Sequence, residues 1–200
     1  QLERRVSAMS HEDRMAVVRA YVGDRSNRRH KPGRALERPF YRFDVLVDYG
    51  AFRDLHRHRM LTMDWQKLSP YHGYTGSPLV DASGMGPIFA EAMERSADLY
   101  DLLIDDFPDQ ASYAVSLAYK IRFNMNINAR SAMHMIELRT TPQGHPSYRE
   151  VGQEMHRLIS EEAGHDAVAE MMKFVDLTDE TDLERLQSER RAAEKRQSAN

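Results

Sequence analysis

Two stretches of the chain alternate between apolar and polar positions, with Leu46 the single exception. Tyr41, Phe43, Val45 and Val47 are separated by Arg42, Asp44 and Leu46 and followed by Asp48, and Tyr119, Ile121, Phe123, Met125 and Ile127 alternate with Lys120, Arg122, Asn124, Asn126 and Asn128. A period of two predicts strands with one buried face. The wet face of the second strand suits solvent, and it equally suits the lining of a ligand cleft. Elsewhere the period is helical. Leu2, Val6 and Met9 predict a short lead-in helix, and Ser10-His11-Glu12-Asp13 reads as a capping box opening a second one through Met15, Val18 and Tyr21. Pro87 at a first helical position and the row Ile88, Ala92, Leu99 and Leu103, with Phe89, Met93 and Tyr100 beside it, predict a long helix ending near Pro108.

Shorter elements fill the gaps. Ala51 to His56 predicts one or two helical turns, Asp109 to Ser116 another short helix, and Ser69 to Gly86 mostly loop. Asn128 stands where an N-cap belongs, opening Ala129 to Arg139, with Arg130, His134 and Glu137 spaced to share one face. Ser147 and Glu150 read as a second capping box for a helix carrying Val151, Met155, Leu158 and Ile159, and Asp166 to Phe174 reads as helical too. Thr181 to Gln197, poor in apolar residues, predicts a solvated helix or tail. The organisation expected is a helical lead-in (1–24), one main domain (25–175) and a charged C-terminal helix or tail (176–200).

Composition narrows the class. With 200 residues, 41% of them hydrophobic, the chain can bury a sizeable core, and no apolar run approaches a membrane span. A cytoplasmic protein is expected, without membrane attachment. The absence of cysteine removes thiolate chemistry and Cys-ligated zinc together. The first residue is Gln, which suits a piece of a longer chain. The net charge of −3 argues against a nucleic-acid binder, yet Arg25, Arg28, Arg29, Lys31, Arg34 and Arg38 crowd one region against Asp24 and Glu37. That region reads as an exposed basic loop, either simply solvated or attracting an anion.

The densest candidate chemistry is Arg57-His58-Arg59-Met60-Leu61-Thr62-Met63-Asp64-Trp65-Gln66-Lys67-Leu68-Ser69. Two guanidiniums flank an imidazole, and a hydroxyl, a carboxylate and an amide follow, a donor set for an anion beside groups that orient a planar ring. His56 and His58 would share a side of an extended segment, but Arg57 and Arg59 repel a cation and no metal is expected. No P-loop, dinucleotide fingerprint or nucleophile elbow is present. A nucleotide or cofactor would have to be held by side chains such as Arg57, Arg59, Arg130 and Arg139; surface ion pairing is the plainer use of such arginines.

Two of these segments resemble the flavin-dependent thymidylate synthases. Arg57-His58-Arg59-x-x-Thr62-x-Asp64, with Leu68-Ser69 after an apparent two-residue insertion, is similar to the family's signature. Asn128-Ala129-Arg130-Ser131-x-Met133-His134-x-x-x-Leu138-Arg139 resembles its second motif, a helix entered from the end of a strand. The similarity runs from about His30 to Ile159.

The resemblance implies a mixed α/β (α+β) fold, a twisted mixed or antiparallel sheet with long packed helices, assembling as a homotetramer with active sites between subunits. It implies methylation of dUMP to dTMP with methylenetetrahydrofolate as carbon donor and FAD reduced by NADPH. Carried over, Arg57, His58, Arg59, Asn128, Ala129, Arg130 and His134 contact FAD; Arg57, Ser69 and Arg139 contact the nucleotide; and Arg139 polarises the pyrimidine. Three positions depart from the family. Asp54 replaces a nucleotide-binding Gln, no arginine follows Ser69 in Ser69-Pro70-Tyr71-His72, and Ser112 replaces a phosphate-binding arginine. These departures favour an alternative, a family-like domain that keeps the fold and some flavin or nucleotide binding in a structural or partner-dependent role.

Overall fold

The computed structural model describes residues 1–178 together with 189, 190 and 194, so the Thr181 to Gln197 segment lies outside the described residues apart from those last three positions. The chain forms two compact units. One is the continuous segment 42–126, and the other joins the segment up to 41 to the segment from 127 onward.

The lead-in follows its caps. Helix α1 (Leu2–Ala8) buries nothing, and α2 (His11–Val22) buries Met15 and Val22. Ser10 caps α2 as its spacing predicts, its hydroxyl accepting the Asp13 N–H at 3.1 Å. After α2 the structure departs from the exposed loop expected over Asp24 to Arg38. Arg25 is buried, as are Leu36 and Pro32. The guanidinium donates to both Glu137 carboxylate oxygens at 2.7 and 2.6 Å, to the carbonyls of His30, Arg28 and Met171 at 2.7, 3.2 and 3.2 Å, and lies 5.4 Å from the Phe174 ring centre. A charge run looks solvated only until one member finds a buried acid.

Strand β1 (Phe40–Asp48) then alternates as predicted, with Tyr41, Phe43 and Val47 buried. Asp48 caps α3 (Tyr49–Leu55), accepting the Ala51 N–H at 2.8 Å, and α3 anchors itself through Ala51, Phe52 and the fully buried Leu55. A strand not expected from the sequence, β2 (Leu61–Trp65), follows. Helix α4 (Pro78–Ala82) is one short turn, and α5 (Gly86–Leu103) is the long helix expected. Its buried face is rotated from the expected row. Met93 and Tyr100 are buried against Ala111, Val115 and Tyr119, whereas Ile88 and Leu99 are exposed. The helix is apolar over more than half its circumference, and the segment that packs on it selects the face; the Tyr119 hydroxyl donates to the Met93 carbonyl.

Strand β3 (Lys120–Asn128) completes a three-stranded sheet in the order β1-β3-β2. Tyr49 N–H bonds the Tyr119 carbonyl at 2.8 Å and Ala129 N–H bonds the Pro39 carbonyl at 2.9 Å, which sets β1 antiparallel to β3. Ile121, Phe123, Met125 and Ile127 are at most 2% exposed, each such side chain stabilising by about 1.5–3 kcal/mol, and Arg122 pairs with Asp44 on the wet face. After β3 come α6 (Ala129–Arg139), α7 (Pro146–Glu161) and α8 (Asp166–Glu170). The cap of α7 is His145, whose ring nitrogen accepts the Ser147 N–H, so Ser147 lies inside the helix and not at its cap. Gly152 lets α7 approach α6, since a Cβ there would press on the Thr140 methyl. The result is a mixed α/β fold with a small antiparallel sheet, of the class the sequence predicts.

Candidate functional site

The Arg57 stretch owes its position to what precedes it. Leu55 and Phe52 hold α3 in the core, the helix stops at His56, and four residues, Arg57 to Met60, follow before β2 begins. Phe52 touches Phe123 edge-on at 5.0 Å and stacks beside His56 at 5.5 Å, and the His56 ring meets Trp65 edge-on at 4.9 Å. An open pocket of about 440 Å³ results, lined by His56, Arg57, His58, Arg59, Leu61 and Met63. Its volume is that of an ordinary small-ligand site. Arg57 and Arg59 are exposed and His58 half-buried. The Arg57 Nε lies 3.2 Å from Asp54 Oδ1.

Strand β2 sorts the remaining polar groups. Leu61 and Met63 line the pocket, so Thr62 and Asp64, between them and after them, fall on the other strand face. Ser69 is half-buried, opens the 3-10 turn Pro70–His72, makes no capping bond there and does not line the pocket.

The second set is carried on α6, in the other unit. Asn128 Oδ1 accepts the Ser131 N–H at 2.8 Å, the cap predicted, and Ala129 is fully buried. Arg130 donates through Nε to the Pro32 carbonyl at 3.0 Å and through Nη1 to Glu37 at 2.8 Å, so its guanidinium is held by the segment before β1. His134 is exposed. Partial burial and then the Arg28 charge, reinforced by Lys31 and Arg139 and opposed by Glu137, hold its pKa below the usual histidine value. Arg139 is half-buried, its guanidinium 5.3 Å from the Tyr148 ring centre. Glu137 does not join Arg130 and His134 toward a ligand; it is fully buried on Arg25.

The structure thus brings Arg57, His58 and Arg59 to one pocket, and Asn128, Ala129, Arg130, His134 and Arg139 to one helix. Sequence reasoning missed Arg25, and a signal for it existed. Glu137 stands four residues after Met133 and next to Ile136, on the apolar row of α6, and a carboxylate there requires a buried cation. Among the described residues no group of three or more His, Asp or Glu side chains is placed to hold a metal ion, and no helix is long and apolar enough to cross a membrane.

The family described as thymidylate synthase complementing protein matches residues 4–174. The chain belongs to this family. Within it, the chain is similar to UPF0159 proteins of Chlamydia pneumoniae (41% identical, 92% of this chain and 34% of that protein) and Chlamydia muridarum (42% identical, 90% and 34%). A UPF0159 protein of Thermoplasma acidophilum is 34% identical over 88% of this chain and 35% of its own length. The chain therefore spans about a third of the length of the curated relatives it matches. Family membership supports thymidylate-synthase-related chemistry and nucleotide biosynthesis as its setting.

Proposed function

We propose that the chain carries out, or forms part of a protein that carries out, FAD-dependent methylation of dUMP to dTMP with methylenetetrahydrofolate and NADPH. The observation that carries this reading is α6: Asn128, Ala129, Arg130, His134 and Arg139 keep the family's spacing on a capped helix entered from a strand. The donor set of the Arg57 pocket fits an anionic, flat-ringed cofactor, because its lining puts two exposed arginines and two histidines beside the apolar side chains of Leu61 and Met63. Bound FAD would supply hydride transfer. This chain's residues would bind and orient: Arg57, His58 and Arg59 on the cofactor's anionic part, Arg130 and His134 along α6, Ser69 and Arg57 at the nucleotide. Arg139 would place a fixed positive charge against the uracil carbonyl, where negative charge develops during the reaction.

One contact favours a second reading. Asp54, standing where the family has a nucleotide-binding Gln, is paired with Arg57 and puts a carboxylate beside the expected phosphate position. A domain that keeps the fold and part of the binding, with the missing groups supplied by a partner or a second copy, is consistent with that pairing and with relatives three times as long.

The test is the visible spectrum of the purified protein with added FAD, followed by titration with dUMP. A bound flavin band that shifts with nucleotide supports the first reading, and turnover with folate and NADPH then completes it. Protein that takes up no flavin sinks the enzyme reading for this chain. Asp54→Gln sharpens the choice, since relief of the carboxylate is expected to tighten dUMP binding about tenfold.

A further inference from the structure

Helix α3 carries a row of rings on one face. Tyr49, Phe52 and, at the C-cap, His56 stand at positions i, i+3 and i+7, the spacing that brings side chains above one another. Tyr49 stacks on Phe52 with ring centres 5.7 Å apart and planes 18° from parallel, and Phe52 stacks on His56 at 5.5 Å and 29°. Tyr49 is half-buried, Phe52 buried, and His56, the last ring of the row, exposed.

Trp65 of β2 stands beside the end of that row. Its ring lies 4.9 Å from His56, with planes 81° apart, and 5.7 Å from Phe52. The three ring centres form a triangle of nearly equal sides, which puts Phe52 and Trp65 on the same side of the imidazole. Its other side is left to the pocket, which His56 lines together with Arg57, Arg59, Leu61 and Met63. Trp65 is itself 52% exposed. Ring surface kept in water at the wall of a pocket gains from any flat partner that covers it.

We infer that His56, backed by Phe52 and Trp65, is the ring-binding subsite of this pocket, where it stacks the flat heteroaromatic ring of a nucleotide whose phosphate is taken by Arg57 and Arg59. The naming of that ring as the flavin's rests on the proposed function, and the stacking itself does not. Stacking asks only for a π-face and the arginines only for a phosphate, so the pairing selects nucleotides as a class. Leu61 and Met63 add apolar wall beside the ring. Phe52, fixed by its edge-on contact with Phe123 at 5.0 Å, holds the imidazole in place before any ligand arrives.

The experiment uses the whole chain, with FMN and UMP as probes. Trp65 is the one tryptophan of the sequence, so its emission, corrected for absorption by the probe, reports on this wall. Saturable quenching by at least one of the two nucleotides is expected. His56→Leu keeps apolar bulk on Phe52 and removes the π-face, and it is expected to weaken that binding about tenfold, whereas His56→Phe keeps a ring and stays within about threefold of the parent. The urea midpoints of both variants are measured alongside, and a merely structural role would not separate two folded proteins that differ in this way. Trp65 emission indifferent to both nucleotides, an unaltered affinity in His56→Leu, or a loss in His56→Phe as large as that in His56→Leu would overturn the subsite. FAD separates the two readings. Uptake of FAD that leaves Trp65 emission unchanged and is indifferent to His56→Leu defeats only the subsite, and UMP held through His56 by a protein that takes up no FAD defeats only the flavin reading.

Discussion

Helix α6 and the turn after α3 both present arginine and histidine, and they hold them in opposite ways. On α6 the backbone is capped by Asn128, Ala129 and Met133 are fully buried, Arg130 is clasped by Glu37 and Pro32, and Glu137 is locked on Arg25. After α3 only Leu55 and Phe52 are fixed, and Arg57 and Arg59 extend into solvent beside an open pocket. Arg130 is held by protein partners in one place, and Arg57 and Arg59 are exposed in the other. What separates them is whether a buried partner satisfies the charge before any ligand does.

The contrast is most easily broken at Arg25. Arg25→Ala strands Glu137 in the core and is expected to cost about 3–5 kcal/mol in urea unfolding. A loss under 1 kcal/mol would mean that the pair is not buried in solution. Asn128→Ala removes one cap and should cost about 1 kcal/mol by the same measurement. Arg57→Ala, on the exposed side of the comparison, should change stability by less than about 0.5 kcal/mol. Calorimetric titration with FAD should nevertheless show affinity reduced about tenfold or more, so that binding and stability part company at this residue.

The smallest effect concerns pH. Because the folded protein holds the His134 pKa below its ordinary value of 6.5, the unfolded chain takes up more protons than the folded one as pH falls through that value. Stability should therefore decline on the acid side, and His134→Gln should flatten that limb of the curve of denaturation midpoint against pH. An acid limb as steep in the variant as in the parent would assign the decline to other groups.

Much of this was legible in the sequence, for identifiable reasons. Strands β1 and β3 alternate because each has one buried face, and the caps at Ser10 and Asn128 advertise themselves by residue type and spacing. The motif on α6 could be placed because a helix fixes the spacing of its side chains. Strand β2 escaped notice because Leu61 and Met63 are only half-buried and Trp65 is exposed, so its alternation is faint. The buried face of α5 differs from the expected row because apolar residues cover more than half of its circumference and only the packed segment at Ala111 to Tyr119 decides. Arg25 was hidden among cations of similar appearance, and its partner lies 112 residues away. Pairings at that range leave no local pattern.

That separation also has a consequence for synthesis. Glu137 follows Arg25 by 112 residues and the Met171 carbonyl by 146. At about 5–20 residues per second, on the order of ten seconds pass on the ribosome before the guanidinium meets its carboxylate, and more before the last acceptor emerges. All of 42–126 is made in that interval. Helix α2 must wait with a solvated arginine until residues 137 and 171 have been made, and a nascent protein halted before about residue 137 has no buried acid to offer it.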